Sequence, residues 1–370
     1  MSTDSGCAPR VAVVIATYHR PQLLRLAVQS VISQTFTDWQ LLVVGDACAD
    51  ETAEVVASFG DPRISFVNLS VNIGEQSGPN NVGLARTTAP RVAFLNHDDL
   101  WFPDHLAIAV DTMDARHADL VFSPNLTVQP TENTDFEQAD SLHLLATMCI
   151  TVDSLSSRGR YDPTQTHRAT PASSWVATRA MLTELGGWRS AEECIVEPSQ
   201  DLLFRAYRRR LRLISTGVAT VITIASGTRK GSYLTTSMAE HQWFAERLAN
   251  INFRAQLLSC DGELSRIALT HTARLKQRVV QRGWRVIAAL GVSPRVVVYR
   301  ARRNLRPGEQ LQWLRANRGQ TGFGDVLRVI ADHHSPRGSP PRMRSFDTGA
   351  DSILHRRQRP LPSCVRLVAT

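Results

Sequence analysis

The sequence predicts an α/β fold, a mostly parallel sheet with helices on both faces, followed by a helical C-terminal region. Within the first hundred residues, short apolar runs alternate with segments of helical periodicity. The connections between them are short, and strand–helix alternation of that kind builds a parallel sheet covered on both faces. Beyond about Met238 the pattern changes to arginine-rich helical segments as far as Arg303.

Val11–Ala16 is a continuous apolar run, the pattern of a strand buried on both faces. Pro21 opens a helix in which Leu23, Leu24, Ala27, Val28, Val31 and Ile32 recur at helical spacing. Leu41–Val44 is a second buried strand and ends at Gly45-Asp46. Asp50-Glu51 begins the next helix, its acids suited to the N-terminal dipole, with Val55, Val56 and Phe59 on one face. Ile64–Asn68 is the third strand, Asn80–Thr87 a helix, and Arg91–Leu95 the fourth strand. His105–His117 reads as a helix and Leu120–Ser123 as a strand. Residues 124–170 are polar and weakly periodic, and are expected to be loops around an opening for an acceptor. Ser174–Val176 is a strand, Arg179–Leu185 a helix stopped by Gly186-Gly187, Gln200–Arg210 a helix, and Leu213–Ile224 holds two short strands. A long helix is expected from Glu263 to Leu290. Residues 335–345 are rich in Ser, Pro and Arg, and the last fifty residues have the composition of a disordered tail. The division expected is 1–235, with a donor-binding half at about 10–104 and an acceptor half at about 105–235, then 236–318 and the tail 319–370.

The chain has 370 residues, 43% of them hydrophobic and 21% charged, as in a globular protein. Six scattered cysteines at neither metal-finger nor redox spacing point to a reducing cytoplasm. No secretory signal is expected, since no basic segment followed by an apolar run opens the chain. No apolar stretch approaches the ~20 residues that span a bilayer. The net charge of +8 is unevenly spread: residues 1–263 carry 21 basic and 29 acidic side chains, whereas 264–318 carry 13 basic side chains and one acid, Glu309. A basic helical region of this kind suits an anionic membrane surface. Nucleic acid is not an expected partner, because no RNA- or DNA-binding motif and little aromatic interleaving accompany the charge.

Three of the first four strands end in polar groups: Thr17-Tyr18-His19-Arg20, Asp46, and Asn96-His97-Asp98-Asp99. Strand ends in an open α/β sheet are where ligands bind. Tyr18 offers a flat face to a base, and a carboxylate such as Asp46 accepts a proton from a ring nitrogen. Asp98 can hold a divalent cation whose remaining positions a diphosphate fills. Each residue also has a structural alternative, Tyr18 as packed core, Asp46 as a turn former, and Asp99 or Asp104 as a helix cap. Neither a Gly-x-Gly-x-x-Gly nor a Walker-type loop is present, which argues against dinucleotide and P-loop sites.

The chain resembles the family 2 glycosyltransferases of the GT-A fold over roughly residues 10–235. The resemblance rests on Val13-Val-Ile-Ala-Thr-Tyr18-His-Arg-Pro21, Val44-Gly-Asp46-Ala-Cys-Ala-Asp50-Glu-Thr52, and Asn72-Ile-Gly74 with Pro79-Asn80-Asn81-Val-Gly83. It continues through Phe94-Leu-Asn-His-Asp98-Asp99-Leu-Trp101, Gly186-Gly-Trp188 and Ser199-Gln-Asp201. It implies inverting transfer of a sugar from a nucleotide-diphosphate donor to an acceptor hydroxyl, assisted by Mn2+ or Mg2+, in the synthesis of surface polysaccharide, glycolipid or related glycans. The same resemblance implies that Thr17, Tyr18, Asp46 and Asn81 hold the donor, Asp98 and Asp99 the metal, and that Asp201 is the general base. Arg229 and Lys230 fall where related enzymes carry a mobile segment over the diphosphate; the alternative is a solvated basic loop. The expected location is cytoplasmic, peripheral at the inner face of the cell membrane. Four positions depart from the family pattern: Asn96 replaces the first acid of the Asp-x-Asp motif, Gly45 an acid, Asn80 an arginine, and Gln200 an acid. Asn96 motivates the competing reading, a catalytically silent sugar-nucleotide binder of the same fold.

Overall fold

The structure, a computed structural model, describes residues 8–130, 136, 145, 148–153, 156–157, 159–166, 170–224, 238–260, 271–303 and 307–309. The elements in chain order are β1 (Val11–Thr17), α1 (Pro21–Ile32), β2 (Trp39–Gly45), α2 (Asp50–Ala57), β3 (Ile64–Asn68) and α3 (Ser77–Arg86). Then come β4 (Arg91–Asn96), β5 (Asp99–Trp101), α4 (His105–Arg116), β6 (Leu120–Phe122), β7 (Asn125–Pro130), β8 (Met148–Asp153), β9 (Ser156–Ser157) and β10 (Arg160–Tyr161). A 3-10 turn at Ala172–Ser174 leads into β11 (Trp175–Thr178), α5 (Arg179–Glu184), α6 (Pro198–Arg208), β12 (Leu213–Ser215) and β13 (Val221–Ile224). Four helices follow: α7 (Ala239–Arg247), α8 (Phe253–Ser259), α9 (His271–Ala289) and α10 (Pro294–Arg303).

Nine strands form one sheet in the order β3-β2-β1-β4-β11-β6-β12-β10-β9. The first four are parallel, and β11 enters antiparallel between β4 and β6. Alternate residues of β1 feed two cores. Val11, Val13 and Ile15 meet Leu24, Ala27, Val28 and Val31 of α1 on one face. Val14 joins Val82, Leu84, Phe94, Leu202 and Leu203 on the other. On that second face α3 sits so close that a Cβ on Gly83 would lie 2.3 Å from Val14 Cγ1; only glycine lets the helix backbone approach the strand this closely.

Two sequence expectations are corrected. The polar stretch 124–170 contains a ribbon as well as loops: β7 and β8 pair antiparallel from Asn125↔Asp153 to Pro130↔Met148. Its signal was the period-two alternation of Leu126 and Val128, and of Met148, Ile150 and Val152, whose apolar side chains face one core. Asp99 also belongs to a strand and caps no helix, because β5 pairs with β13 in a second sheet ordered β5-β13-β7-β8. The long C-terminal helix is present as α9, and residues 261–270 before it lie outside the described residues, as does the tail beyond 309.

Candidate active site

Strands β1, β2 and β4 end side by side, Thr17 opposite Gly45 and Ala16 opposite Asn96. Strands β2 and β3 lie on one side of β1, and β4 on the other. The strand order therefore reverses at β1, and the crevice outside the carboxyl ends at such a reversal is the ligand position of open α/β sheets. Tyr18, Asp46 and the Asn96–Asp99 turn all leave the sheet there.

Asp46 is 4% exposed. One of its oxygens accepts the backbone N–H of Ile73 at 2.7 Å and the other that of Gly74 at 2.7 Å. These bonds fasten the Asn72–Gly74 loop to the end of β2. Tyr18 is half-buried beside it; burial, and then the Asp46 carboxylate, raise the phenol above its ordinary pKa. Thr17 is buried, and its hydroxyl lies 3.1 Å from His97 Nδ1, which also accepts the Tyr18 backbone N–H at 3.4 Å. An N–H can only donate, so Nδ1 is unprotonated and His97 is the Nε2–H tautomer. His97 thus ties β1 to the β4 turn. The two residues that follow strand ends here, His19 (φ 44°) and Ala47 (φ 57°), are left-handed, and non-glycine residues hold that conformation only when their surroundings fix it.

Gly45 has a local reason. A Cβ there would lie 2.5 Å from Asn68 Oδ1 and 3.0 Å from the Phe66 ring. Asn68 uses that space to accept the Cys48 N–H at 2.9 Å and to donate to the Cys48 carbonyl at 2.8 Å. The amide of Asn68 therefore holds the Asp46–Cys48 turn.

The two adjacent acids point different ways. Asp98 is accessible, its side chain 23% exposed, with an Arg20 guanidinium nitrogen 3.8 Å away. Asp99 is 2% exposed and accepts from the Asn96 amide at 2.9 Å and from the Ser173 hydroxyl. Burial, and then the Asp98 charge, push its carboxyl up to about 7. Both bonds fall on Oδ2, so this buried carboxylate, unlike the accessible Asp98, is tied into the protein by one of its oxygens. Buried His241 of α7 lies by the same turn. Its pKa is lowered by burial, the carboxylates of Asp98 and Glu240 opposing and the Arg20 guanidinium adding. Among the described residues, no group of three or more His, Cys, Asp or Glu side chains is arranged to hold a metal.

Asp201 stands in the first turn of α6. Arg205, one turn on, donates to it through Nε at 2.7 Å, and Arg189 reaches its other oxygen at 3.4 Å. The rest of the Arg205 guanidinium donates to the carbonyls of Leu185 at 2.7 Å and Gly187 at 2.8 Å. The Gly186-Gly187-Trp188 turn is held from the other side by Asn81, which donates to the Trp188 carbonyl and accepts its N–H, both at 2.9 Å. Asn81, expected at the donor, is a clamp on this turn. Next to Asp201, Gln200 donates to the Thr170 carbonyl at 3.3 Å. Three residues further on, Ser173 binds Asp99, so one short segment connects the Asp201 helix to the Asp98–Asp99 turn. Arg229 and Lys230 lie outside the described residues.

Sequence reasoning placed Arg20 at the strand end without a role, and missed Arg205, Ser173 and His241. Arg205 was detectable as the i+4 partner of Asp201, whereas Ser173 and His241 are remote in sequence and carry no local signal.

Residues 12–173 match the family model described as Glycosyl transferase family 2. The chain is 29% identical over 103 residues to the UDP-Glc:alpha-D-GlcNAc-diphosphoundecaprenol beta-1,3-glucosyltransferase WfgD of Escherichia coli, a match covering 28% of this chain and 40% of that protein. It is 31% identical over 112 residues to the succinoglycan biosynthesis protein ExoO of Rhizobium meliloti (strain 1021), covering 30% and 32% respectively. The chain thus spans two fifths or less of the length of these relatives. Staphylococcus aureus TarS 1-349 in complex with UDP-GlcNAc superposes with a TM-score of 0.45 at 17% identity, covering 84% of this chain and 88% of that one.

Proposed function

We propose, from the match of residues 12–173 to the Glycosyl transferase family 2 model, that this chain transfers a sugar from a nucleotide-diphosphate donor to an acceptor hydroxyl, with inversion, in the synthesis of surface polysaccharide, glycolipid or a related glycan. The observation that carries the reading is the meeting of Tyr18, Asp46 and Asp98 at the point where the strand order reverses. The WfgD and ExoO names support the polysaccharide context.

In this reading Tyr18 stacks on the base and Asp46, kept rigid by Ile73 and Gly74, accepts the ring N–H. Asp98 fits a magnesium or manganese ion, since such ions take one or two carboxylates and complete their shell with phosphate oxygens and water. When bound, the ion offsets charge building on the departing diphosphate. Arg20, beside Asp98, places a second positive group at the same end. Inversion by single displacement needs a base on the face opposite the leaving group. Asp201 takes the acceptor proton, its carboxylate aimed by Arg205 and Arg189. The silent-binder reading loses its motive, because Asn96 is engaged as a donor to Asp99.

We place the protein in the cytoplasm, peripheral at the inner face of the cell membrane. Among the described residues no helix is long and apolar enough to cross a membrane, and the basic C-terminal helices suit an anionic surface. The deciding experiment is a screen of nucleotide sugars with manganese, following nucleoside-diphosphate release by wild type and Asp201→Asn. The expected result is manganese-stimulated transfer that falls by two or more orders of magnitude in the variant, at the lower end of the ~10²–10⁴-fold ascribed to general bases. Undiminished transfer by Asp201→Asn removes the base assignment, and failure of every donor to bind removes the reading.

A further inference from the structure

A cleft of about 670 Å3 lies at the far edge of the large sheet, between the end of α6, the entry to β12, strand β10 and the end of α9. Arg160, Arg208, Arg210 and Arg212 line it, over an apolar floor that includes Leu211 and Leu213. All four arginines are exposed, and none of their guanidinium groups has an acidic or hydrogen-bonding partner among the described residues. Arg209, in the middle of the run, turns to Glu184 instead. Four exposed cations around one hollow repel each other, a cost that an anionic ligand removes.

This cleft is separate from the donor crevice. Strand β12 is parallel to β6, and β6 and β4 each run antiparallel to β11, so β12 points the same way as β4. Arg210 and Arg212 precede β12, at the sheet edge opposite the strand ends that carry Asp46 and Asp98. From β1 to β10 is five strand steps, about 24 Å at the usual spacing.

The rim identifies the occupant. Val279 (61% exposed), Val286 (60%) and Leu290 (77%) fall on one stripe of α9 and its last turn, and Leu290 also lines the cleft. Ala288, half a turn from that stripe, is 2% exposed, so the stripe faces away from the protein body. An outward apolar stripe running into a cationic hollow matches a ligand with an anionic head and an apolar tail. The chain's own tail is a poor occupant, since residues 319–370 carry 8 basic and 4 acidic side chains.

We propose that this cleft binds the anionic headgroup of a membrane lipid while the Val279–Leu290 stripe enters the interface. The inference rests on the peripheral-membrane reading and names its binding site. The test is flotation of the full chain with vesicles of phosphatidylcholine alone or with phosphatidylglycerol. Two triple variants of equal net charge are compared, Arg208→Gln/Arg210→Gln/Arg212→Gln in the cleft and Arg25→Gln/Arg86→Gln/Arg116→Gln on α1, α3 and α4, away from both the cleft and the basic C-terminal helices, with thermal melting as the folding control. Wild type is expected to float only with phosphatidylglycerol. The cleft variant is expected to partition on the order of 100-fold more weakly, from ~1 kcal/mol per arginine at an anionic surface, and the outside variant far less so. Equal losses in the two variants overturn the cleft and leave the membrane reading standing; a wild type that never floats overturns both. Saturable calorimetric binding of inorganic phosphate without flotation would assign the cleft to a soluble anion, and self-association abolished by the cleft substitutions would assign it to the acidic face of a second copy; either result overturns the proposal.

Discussion

Replacing Asn96 by Asp restores the usual acid of the Asp-x-Asp motif, and the structure predicts that it damages the protein. The Asn96 amide donates to Asp99 across 2.9 Å, and Asp99 is 2% exposed. The substitution removes a hydrogen bond to a charged group, worth ~1.5–3 kcal/mol. It also sets a second carboxylate about 3 Å from the first, where an effective dielectric of ~20 gives a repulsion near 5 kcal/mol as an upper bound. The pair escapes most of that by keeping a proton between them, which costs ~1.4 kcal/mol for each pH unit by which the medium lies above the value of about 7 to which Asp99 is raised. A loss of about 3–4 kcal/mol near pH 8, shrinking to about 1 kcal/mol near pH 5.5, follows. The sign is fixed by Asp99, whose carboxyl is already raised to about 7 in the folded protein. A raised acid holds its proton longer folded than unfolded, so its contribution to stability falls as pH climbs from about 4 through 7. Urea unfolding at the two pH values measures the difference, and Asn96→Asp/Asp99→Asn, which restores one donor and one acceptor, is expected to recover most of it. If Asn96→Asp is as stable as wild type near pH 8, Asn96 is not the partner of Asp99. If it also binds manganese more tightly, the residue is a lost metal ligand after all.

Two further substitutions probe the crevice. Gly45→Asp is expected to cost about 2–4 kcal/mol, by overpacking against Asn68 and Phe66 and by displacing the Asn68–Cys48 bonds; a melting temperature within a degree or so of wild type would contradict this crowding. Glu75, whose carboxyl is pushed up to about 7 by burial, with the Asp46 charge adding, is held by the Ser77 backbone N–H at 2.6 Å. Because folding raises its pKa, ionised Glu75 opposes folding above about pH 7, and Glu75→Gln is expected to stabilise the protein by about 1 kcal/mol near pH 8 and by little near pH 5. Equal effects at both pH values in chemical denaturation would show that the charge is not the cause.

Most of the parallel half of the sheet was legible because β1, β2 and β4 are largely buried on both faces and read as apolar runs, as Val11–Ala16 does. The site was legible as far as strand ends mark it: Tyr18, Asp46 and Asp98 lie where β1, β2 and β4 stop. Two kinds of information were hidden. One is the direction of a side chain within a run. Nothing local distinguishes Asp98 from Asp99, and what separates them is the pairing of β5 with β13 and the arrival of Ser173. The other is the spending of hydrogen-bond capacity on remote partners. Asn81 reads as a polar residue in a motif, yet its amide is committed to the Trp188 backbone, a contact that exists only once α3 and the Gly-Gly turn are folded together.

The same distinction explains the departures from the family pattern. A motif that decays without purpose leaves holes and unpaired groups, each costing ~1–3 kcal/mol when buried. Three of the four departures show the opposite. Beside Gly45, Asn68 and Phe66 fill the space and Asn68 holds the turn; Asn96 donates to Asp99; and Gln200 donates to the Thr170 carbonyl. An acid at position 96 or 200 would face an acceptor where the amide now donates, and one at 45 would occupy the place of Asn68. The neutral residues are therefore fitted to their neighbours, and positions 45 and 96 add no negative charge beside Asp46 and Asp98. A site arranged in this way concentrates cation binding on one accessible carboxylate and depends on the donor's own phosphates to complete the shell. Manganese affinity should then be weak in the absence of nucleotide and rise sharply with a nucleoside diphosphate present. Manganese titrations followed by calorimetry with and without the nucleotide measure this coupling, and equal affinities in the two titrations would refute it.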